Sequence, residues 1–393
     1  MAAGKNTQLP EEICFDILER LPVKSLGRFK AVSKPWKFLV SSPDFIDCQY
    51  DRSAANCSKL AAVEERCSES EKKCSILLHT LNSNPASPVE TTTIEQPTKY
   101  EGKCISSCWC RGLLLTEVTN GPSFKLLLWN PLTKECKEVP KPVPYRYIAE
   151  TSAIGYDFTM RSHMIVIILR KSNRFNQISV YTCKTNSWAF FEVVRDNTAS
   201  ICSGPLTLVN GAPHWLVEYG DDDDYNDNNN YYAIEYFDFS MNKLMEVPQP
   251  GDYAYRNYSY VHPELYDMEG CLCIGYYTHE DANEVEIWVM KQYGVKETWS
   301  KLMIFDVYND ILNISRFPLC FAKNNVNVSL VNEMGIMFPL FLPNNNVNEV
   351  GMERDQGCVA LYNGKERRAE LRIPASQVRK VRAFAFVESL ISD

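Results

Sequence analysis

The sequence predicts a mainly β protein in which a small N-terminal segment of three helices precedes a repeated array of about six small sheets. Three observations favour this fold class. Aromatic residues make up 12% of the 393 residues, and Gly and Pro are scattered through the last three quarters of the chain, a composition typical of short strands joined by turns. A phrase of strand, turn and strand recurs along the same region. Apolar residues at helical spacing are concentrated in the first fifty positions.

The first fifty residues predict three short helices. Pro10 suits a first helical turn, and Pro22 cannot continue that helix. Ser25 and Ser33 are placed to cap a second and a third helix. The apolar side chains of these helices are too numerous to be buried within so short a segment. Because surplus exposed apolar surface usually marks a contact with another protein, we expect a partner to bind here.

The sequence motifs of this segment resemble those of a known family, and the resemblance implies which partner binds. LP at residues 9–10, RLPVKSL at 20–26 and RFKAVSKPWKFL at 28–39 are similar to the F-box of plant F-box proteins. The resemblance implies an F-box domain over residues 7–48, which binds a Skp-type adaptor and, through it, cullin and RING subunits. The residues assigned to the adaptor are Leu9, Pro10, Ile13, Ile17, Leu18, Leu21, Pro22, Leu26, Val32 and Trp36. A helical hairpin that only caps the next domain is the alternative.

Beyond this segment the character of the chain changes twice. Residues 49–75 are polar and charged with isolated apolar residues, which predicts a linker. Residues 76–390 then predict one β-domain, because apolar runs of strand length alternate with Asn, Pro, Ser and Gly.

Aromatic anchors give the β-domain its period. Trp129, Tyr181, Phe237 and Trp288 recur roughly 50 to 56 residues apart, and Tyr362 ends a longer interval. Two hairpins per period make a four-stranded blade, so the spacing predicts a propeller of about six blades. We expect the anchors to lie in the core, and N-terminal and C-terminal strands to pair and close the ring.

Phrases such as LLLWNP at 126–131 resemble the kelch-related F-box-associated domain of plant F-box proteins, and within that family the S-locus F-box group. The resemblance implies a kelch-like β-propeller that binds a target protein for ubiquitination and proteasomal degradation. If the S-locus likeness is functional, the implied target is a ribonuclease.

The overall charge excludes two classes of partner. A net charge of -8 and a pI near 5.4 argue against binding to nucleic acid or to an anionic membrane surface. A basic target protein remains compatible. No apolar run is long enough to span a bilayer. The 15 cysteines are unevenly spaced, which favours reduced thiols in the cytoplasm or the nucleus.

Candidate chemistry is sparse, so we expect no catalytic residue, no cofactor and no metal. The five histidines are widely separated. Cys104, Cys108 and Cys110 lack a second ligand pair at zinc spacing. An acidic stretch is a possible target-binding loop, and its carboxylates are Asp221, Asp222, Asp223, Asp224 and Asp227. The sequence therefore favours a non-catalytic receptor subunit of a ubiquitin ligase. A non-proteolytic adaptor-binding protein and a propeller enzyme remain as alternatives.

Overall fold

The structure is a computed structural model. It describes residues 9–55, 59–67, 74–82, 90–95, 103–120, 123–130, 133–142, 148–172, 175–194, 199–202, 206–219, 231–251, 263–268, 270–277, 284–306, 318–321, 328–332, 358–363, 368–374, 380–385 and 390.

Four helices form the N-terminal part, namely α1 (Glu11–Leu18), α2 (Val23–Phe29), α3 (Lys34–Val40) and α4 (Pro43–Ala55). The predicted cap of the third helix is confirmed, since the backbone N–H of Trp36 donates to Ser33 Oγ at 3.3 Å. The predicted cap of the second helix is wrong. That helix begins directly after Pro22, three residues earlier than a cap at Ser25 would place it, so Ser25 lies inside its first turn.

The prediction of three helices followed by a linker over 49–75 needs correction. Helix α4 continues to Ala55, and the first strand of the β-domain begins only four residues later, at Lys59. The polar composition of residues 49–75 predicts a solvated linker, but the first seven of these residues continue α4. In the structure its aspartates face arginines of the β-domain instead.

The described strands form six antiparallel sheets, in agreement with the predicted blade number. Blade 1 contains β1 (Lys59–Cys67), β2 (Cys74–Asn82), β3 (Glu90–Glu95) and β25 (Lys380–Ala385). Blade 2 contains β4 (Lys103–Cys110), β5 (Leu113–Asn120), β6 (Ser123–Trp129) and β7 (Cys136–Val139). Blade 3 contains β8 (Ile148–Asp157), β9 (Ser162–Ser172), β10 (Phe175–Thr182) and β11 (Ser187–Val194).

The second half of the chain forms the other three blades. Blade 4 contains β12 (Ala199–Ile201), β13 (Thr207–Val209), β14 (Ala212–Tyr219), β15 (Tyr231–Asp238) and β16 (Lys243–Val247). Blade 5 contains β17 (Glu264–Met268), β18 (Cys271–Tyr277), β19 (Glu284–Met290) and β20 (Trp299–Asp306). Blade 6 contains β21 (Pro318–Phe321), β22 (Val328–Asn332), β23 (Cys358–Asn363) and β24 (Arg368–Pro374).

The blades are arranged in a closed ring. Neighbouring blades meet mainly through β4, β8, β17, β21 and β25 and, in blade 4, through β13 and β14, so these strands lie nearest the axis. The predicted closure is confirmed, because β25 from the end of the chain pairs with β1 in register from Leu60 opposite Ala385 to Glu65 opposite Lys380. This pairing leaves no free strand edge at the junction of the chain ends.

The aromatic anchors occupy equivalent places in the repeat. Each of the five lies on the third strand of its blade, namely β6, β10, β15, β19 or β23. Trp129, Tyr181 and Phe237 are buried and Trp288 is half-buried. The prediction that they form core is confirmed for these four. The burial of Tyr362 lies outside the described residues.

Alternation along the strands produces a core between each pair of described neighbouring blades. In β9, Ile165 and Ile167 pack against blade 2, whereas Val166 and Ile168 pack against blade 4. A strand with both faces buried is expected to have a continuous run of apolar residues. Strand β9 has such a run, MIVIIL, at its centre.

The topology gives the ring two different faces. Within a blade, the first-to-second and third-to-fourth connections lie at one face, because consecutive strands are antiparallel. At that face are two-residue turns such as Arg111–Gly112 and Asn210–Gly211, with positive φ at all four residues, as tight hairpin turns require. The second-to-third and blade-to-blade connections reach the opposite face. We call these the turn face and the loop face.

Candidate functional site

The helical segment exposes most of the apolar residues assigned to a partner. Six of these residues are exposed, namely Leu9, Pro10, Ile13, Ile17, Pro22 and Val32. Two more, Leu21 and Trp36, are half-buried. Helix α1 places Ile13 and Ile17 four residues apart, so both lie on one side of the helix. Leu9 and Val32 are more than 60% exposed. Apolar side chains this open in a short segment are suited to contact with another protein.

Two of the assigned residues serve a different purpose. Leu18 and Leu26 are buried in the core of the helical segment, together with Val23, Val40 and Phe45. Because their own chain already covers them, they support the exposed side and do not form it. The assignment of these two leucines to direct adaptor contact is therefore corrected.

Phe38 was missed by the sequence reasoning. It lies on α3 with 80% of its surface exposed, the most open of the large apolar residues among those whose burial is described. A signal was present, since Trp36, Leu39 and Val40 account for the inward side of α3 and leave this residue on another side.

Helix α4 holds the helical segment against the turn face of blades 2 and 3. The guanidinium of Arg111, in the β4–β5 turn, donates from Nη2 to Asp47 at 3.2 Å and from Nη1 to Asp51 at 2.9 Å. It also lies 4.1 Å from the ring centre of Tyr50 and 4.5 Å from that of Tyr156. Arg111 is only 8% exposed. We call this set of contacts between α4 and the turn face the α4 junction.

A second arginine completes the α4 junction. Arg161, in the β8–β9 turn, donates from Nε to Asp47 at 2.8 Å and also contacts Asp44. The hydroxyl of Tyr156 donates to the same Asp47 carboxylate at 3.0 Å. Burial, and after it this hydrogen bond, raise the pKa of Tyr156 above its usual range. Ile46 packs against both the helical core and the core of blades 2 and 3. Charge, hydrogen bonds and apolar contact thus join the two parts.

The loop face lies away from the α4 junction and carries long connections. The β14–β15 connection is the segment 220–230 and the β22–β23 connection is 333–357. The acidic residues Asp221 to Asp224 and Asp227 belong to the first of these and lie outside the described residues. At its base, Tyr219 and Tyr231 are cross-strand partners whose rings stack with centroids 4.7 Å apart. This tyrosine pair fixes the two ends from which the acidic segment extends.

Comparison with known proteins assigns the family. A family model described as the F-box associated beta propeller domain matches residues 67–392, and one described as the F-box domain matches residues 7–47. The chain belongs to the F-box proteins with an F-box-associated β-propeller. Helices α1 to α3 and the start of α4 are thus the F-box, and the six sheets are the associated propeller.

Its relatives include F-box proteins of a plant. A putative F-box protein of Arabidopsis thaliana is 25% identical, covering 82% of this chain and 86% of its own length. The F-box protein CPR1 of the same organism is 23% identical, covering 82% and 79%. Among solved structures, the β-propeller domain of the Trilobed protease from Pyrococcus furiosus matches with a TM-score of 0.38 and 8% identity, covering 81% of this chain and 80% of that one. A likeness this low has no bearing on function.

The propeller of this F-box protein contains a few titratable groups with shifted pKa values. Burial raises the pKa of Glu264, on the innermost strand β17, to about 7. Burial lowers the pKa of His214 to about 4. Its imidazole lies 2.6 Å from the hydroxyl of Tyr293 and 2.9 Å from the backbone oxygen of Ala212, so both ring nitrogens have structural partners.

In the described part of the chain, no three His, Cys, Asp or Glu residues come close enough to hold a metal ion. Cys110 is buried and Cys108 half-buried, and both pack in the core between blades 2 and 3. Within the same part of the chain, no helix is long and apolar enough to cross a membrane.

Proposed function

We propose that this F-box protein is the substrate-recognition subunit of an SCF-type ubiquitin ligase, acting in the cytoplasm or the nucleus. Its F-box would bind a Skp-type adaptor, and the adaptor would join it to cullin and RING subunits. The observation that carries the proposal is the α4 junction. It fixes a segment with exposed apolar residues to one face of a propeller whose long connections leave from the opposite face.

The mechanism would be proximity, with no chemistry done by this chain. A target held on the loop face stays at high effective concentration near the ubiquitin-loaded enzyme that the other subunits recruit. A stiff link between the two binding faces keeps the target's position defined. The buried Arg111 with its two carboxylate partners and two aromatic neighbours provides such stiffness.

The target would be a protein, and the acidic connection in blade 4 favours a basic one. Four consecutive aspartates and a fifth nearby would speed the approach of a positively charged protein in a salt-dependent way. If the likeness to S-locus F-box proteins extends to function, this target is a ribonuclease. A loop that only keeps the protein soluble is the simpler reading of the same residues.

The adaptor, the cullin and the target can be tested together. The tagged protein is purified from its native tissue with and without proteasome inhibition, beside an Ile13→Asp, Ile17→Asp double variant. We expect the wild type to recover adaptor, cullin and RING subunits, and a further protein that accumulates under inhibition. The double variant should lose the ligase subunits and keep the target. Recovery of the adaptor without cullin would favour the non-proteolytic alternative, and loss of neither would contradict the proposal.

A further inference from the structure

Leu390, near the end of the sequence, lies in the core of the F-box. It is 3% exposed and packs in the same cluster as Leu18, Leu26, Val40 and Phe45. These residues belong to α1, α2, α3 and α4 respectively. Leu390 thus shares one buried cluster with residues of all four N-terminal helices, although it lies more than 330 positions beyond them in sequence.

The chain path connects this leucine to the closure of the ring. Leu390 follows β25 by five residues, and β25 pairs with β1. Strand β1 in turn begins four residues after the end of α4. The F-box core and the closing strand pair are thus tied twice, once through α4 and once through Leu390. If β25 separated from β1, Leu390 would no longer be held near the F-box. If Leu390 left the F-box core, β25 would lose one of the contacts that keep it beside β1.

We infer that Leu390 couples the F-box to ring closure, so that the F-box takes up its adaptor-binding form only when β25 is paired with β1. The inference rests on the proposed function for the identity of the partner. Leu18 and Leu26 belong to the same buried cluster as Leu390, whereas Ile17 on the outside is 49% exposed. A loosened core would therefore disturb the exposed side without touching it. Because such coupling is reciprocal, an adaptor bound to the F-box must also stabilise the closed ring.

The first test measures the affinity of purified full-length variants for a purified Skp-type adaptor. Leu390→Asp places a carboxylate in an apolar core and should weaken binding by about a hundredfold or more. Leu390→Ala leaves a cavity and should weaken it by about tenfold. Leu390→Met nearly preserves the volume of the side chain, so its affinity for the adaptor should stay within about threefold of the wild-type value. The matched control is Leu302→Asp on β20, at a leucine that is 38% exposed, and it should bind normally.

The second test separates coupling from a purely local packing role. Hydrogen exchange is measured in β1 and β25 with and without the adaptor. In the wild type the adaptor should slow exchange in both strands by about tenfold, and in Leu390→Ala this protection should disappear. In the free protein, Leu390→Ala should speed exchange in α1 and in β25 together.

The outcomes divide clearly. The inference would be overturned if Leu390→Asp bound the adaptor with unchanged affinity. It would also be overturned if the hydrogen-exchange rate of β25 changed neither with the adaptor nor with Leu390→Ala. If the wild type itself binds no adaptor, the proposed function fails. The exchange of α1 and β25 in the free variant then still decides whether Leu390 couples the two elements.

Discussion

Asp47 is the residue on which the α4 junction depends most, and replacing it tests the structure directly. Its carboxylate receives hydrogen bonds from Arg111, Arg161 and the hydroxyl of Tyr156. The Asp47→Asn change keeps the shape but removes the charge and turns an amide N–H toward groups that are themselves donors. Arg111 is then left with Asp51 alone, whose side chain is 65% exposed.

The expected loss can be worked out from burial. Removing one partner of a fully buried ion pair costs about 3 to 5 kcal/mol. Asp51 still compensates part of the charge of Arg111, and the side chain of Arg161 is 43% exposed, which reduces the cost. We therefore expect Asp47→Asn to lower the local free energy of opening of α4 by about 2 to 3 kcal/mol.

The assay is native-state hydrogen exchange of the α4 amides, which reports local opening. A double-mutant cycle with Arg111→Met should give a coupling energy of about 1.5 to 2 kcal/mol between Asp47 and Arg111. The control cycle uses Lys125 and Glu138, a pair 3.3 Å apart with both side chains at least one third exposed, and should give at most about 0.5 kcal/mol. If the Asp47–Arg111 coupling is no larger than the control, the α4 junction does not hold the F-box in place.

Three further predictions follow from other parts of the molecule. Replacing Phe38 by Asp should weaken adaptor binding at least tenfold without changing the circular dichroism spectrum, because a residue this exposed contributes little to the fold; loss of the helical signal would contradict the assigned role. The lowered pKa of His214 means that the unfolded chain binds its proton more tightly, so the histidine's contribution to stability should fall by about 3 kcal/mol as the pH drops from about 6.5 to 4. The stability of His214→Gln in urea should lack this slope, so the difference between wild type and variant should carry it; an identical slope in the variant would refute the assignment. Exchanging the five aspartates of the blade 4 connection for Asn should slow association with a basic target and flatten its salt dependence; an unchanged rate and slope would mean that the loop only confers solubility.

The repeat was predictable because most blades carry a local signal. The third strands of blades 2 to 6 bear an aromatic anchor, and three of the second strands, β5, β14 and β18, follow a glycine with positive φ. Both requirements are local, one for packing between blades and one for a tight turn, so they recur in the sequence of several blades. The blade number and the closing strand pair followed from counting these signals.

The parts that escaped prediction depend on residues distant in sequence. The aspartates of α4 look like a solvated segment until Arg111 and Arg161 are brought beside them, 60 to 117 positions away. Leu18 and Leu26 match the pattern of adaptor-contacting residues equally well whether they point inward or outward. Both are buried in a cluster that includes Phe45 and Leu390, and no local periodicity reveals a partner so distant in sequence.

The pairing of β25 with β1 also sets an order of events during synthesis. A ribosome adds about 5 to 20 residues per second, and the two strands are separated by more than 310 residues. Blade 1 therefore waits roughly 15 to 60 seconds for its innermost strand while the other five blades emerge. Throughout that interval the edge of β1 is open to pairing with another nascent chain. Chaperone demand should accordingly be greatest shortly before β25 is synthesised, and it should fall once β25 has left the ribosome and paired with β1.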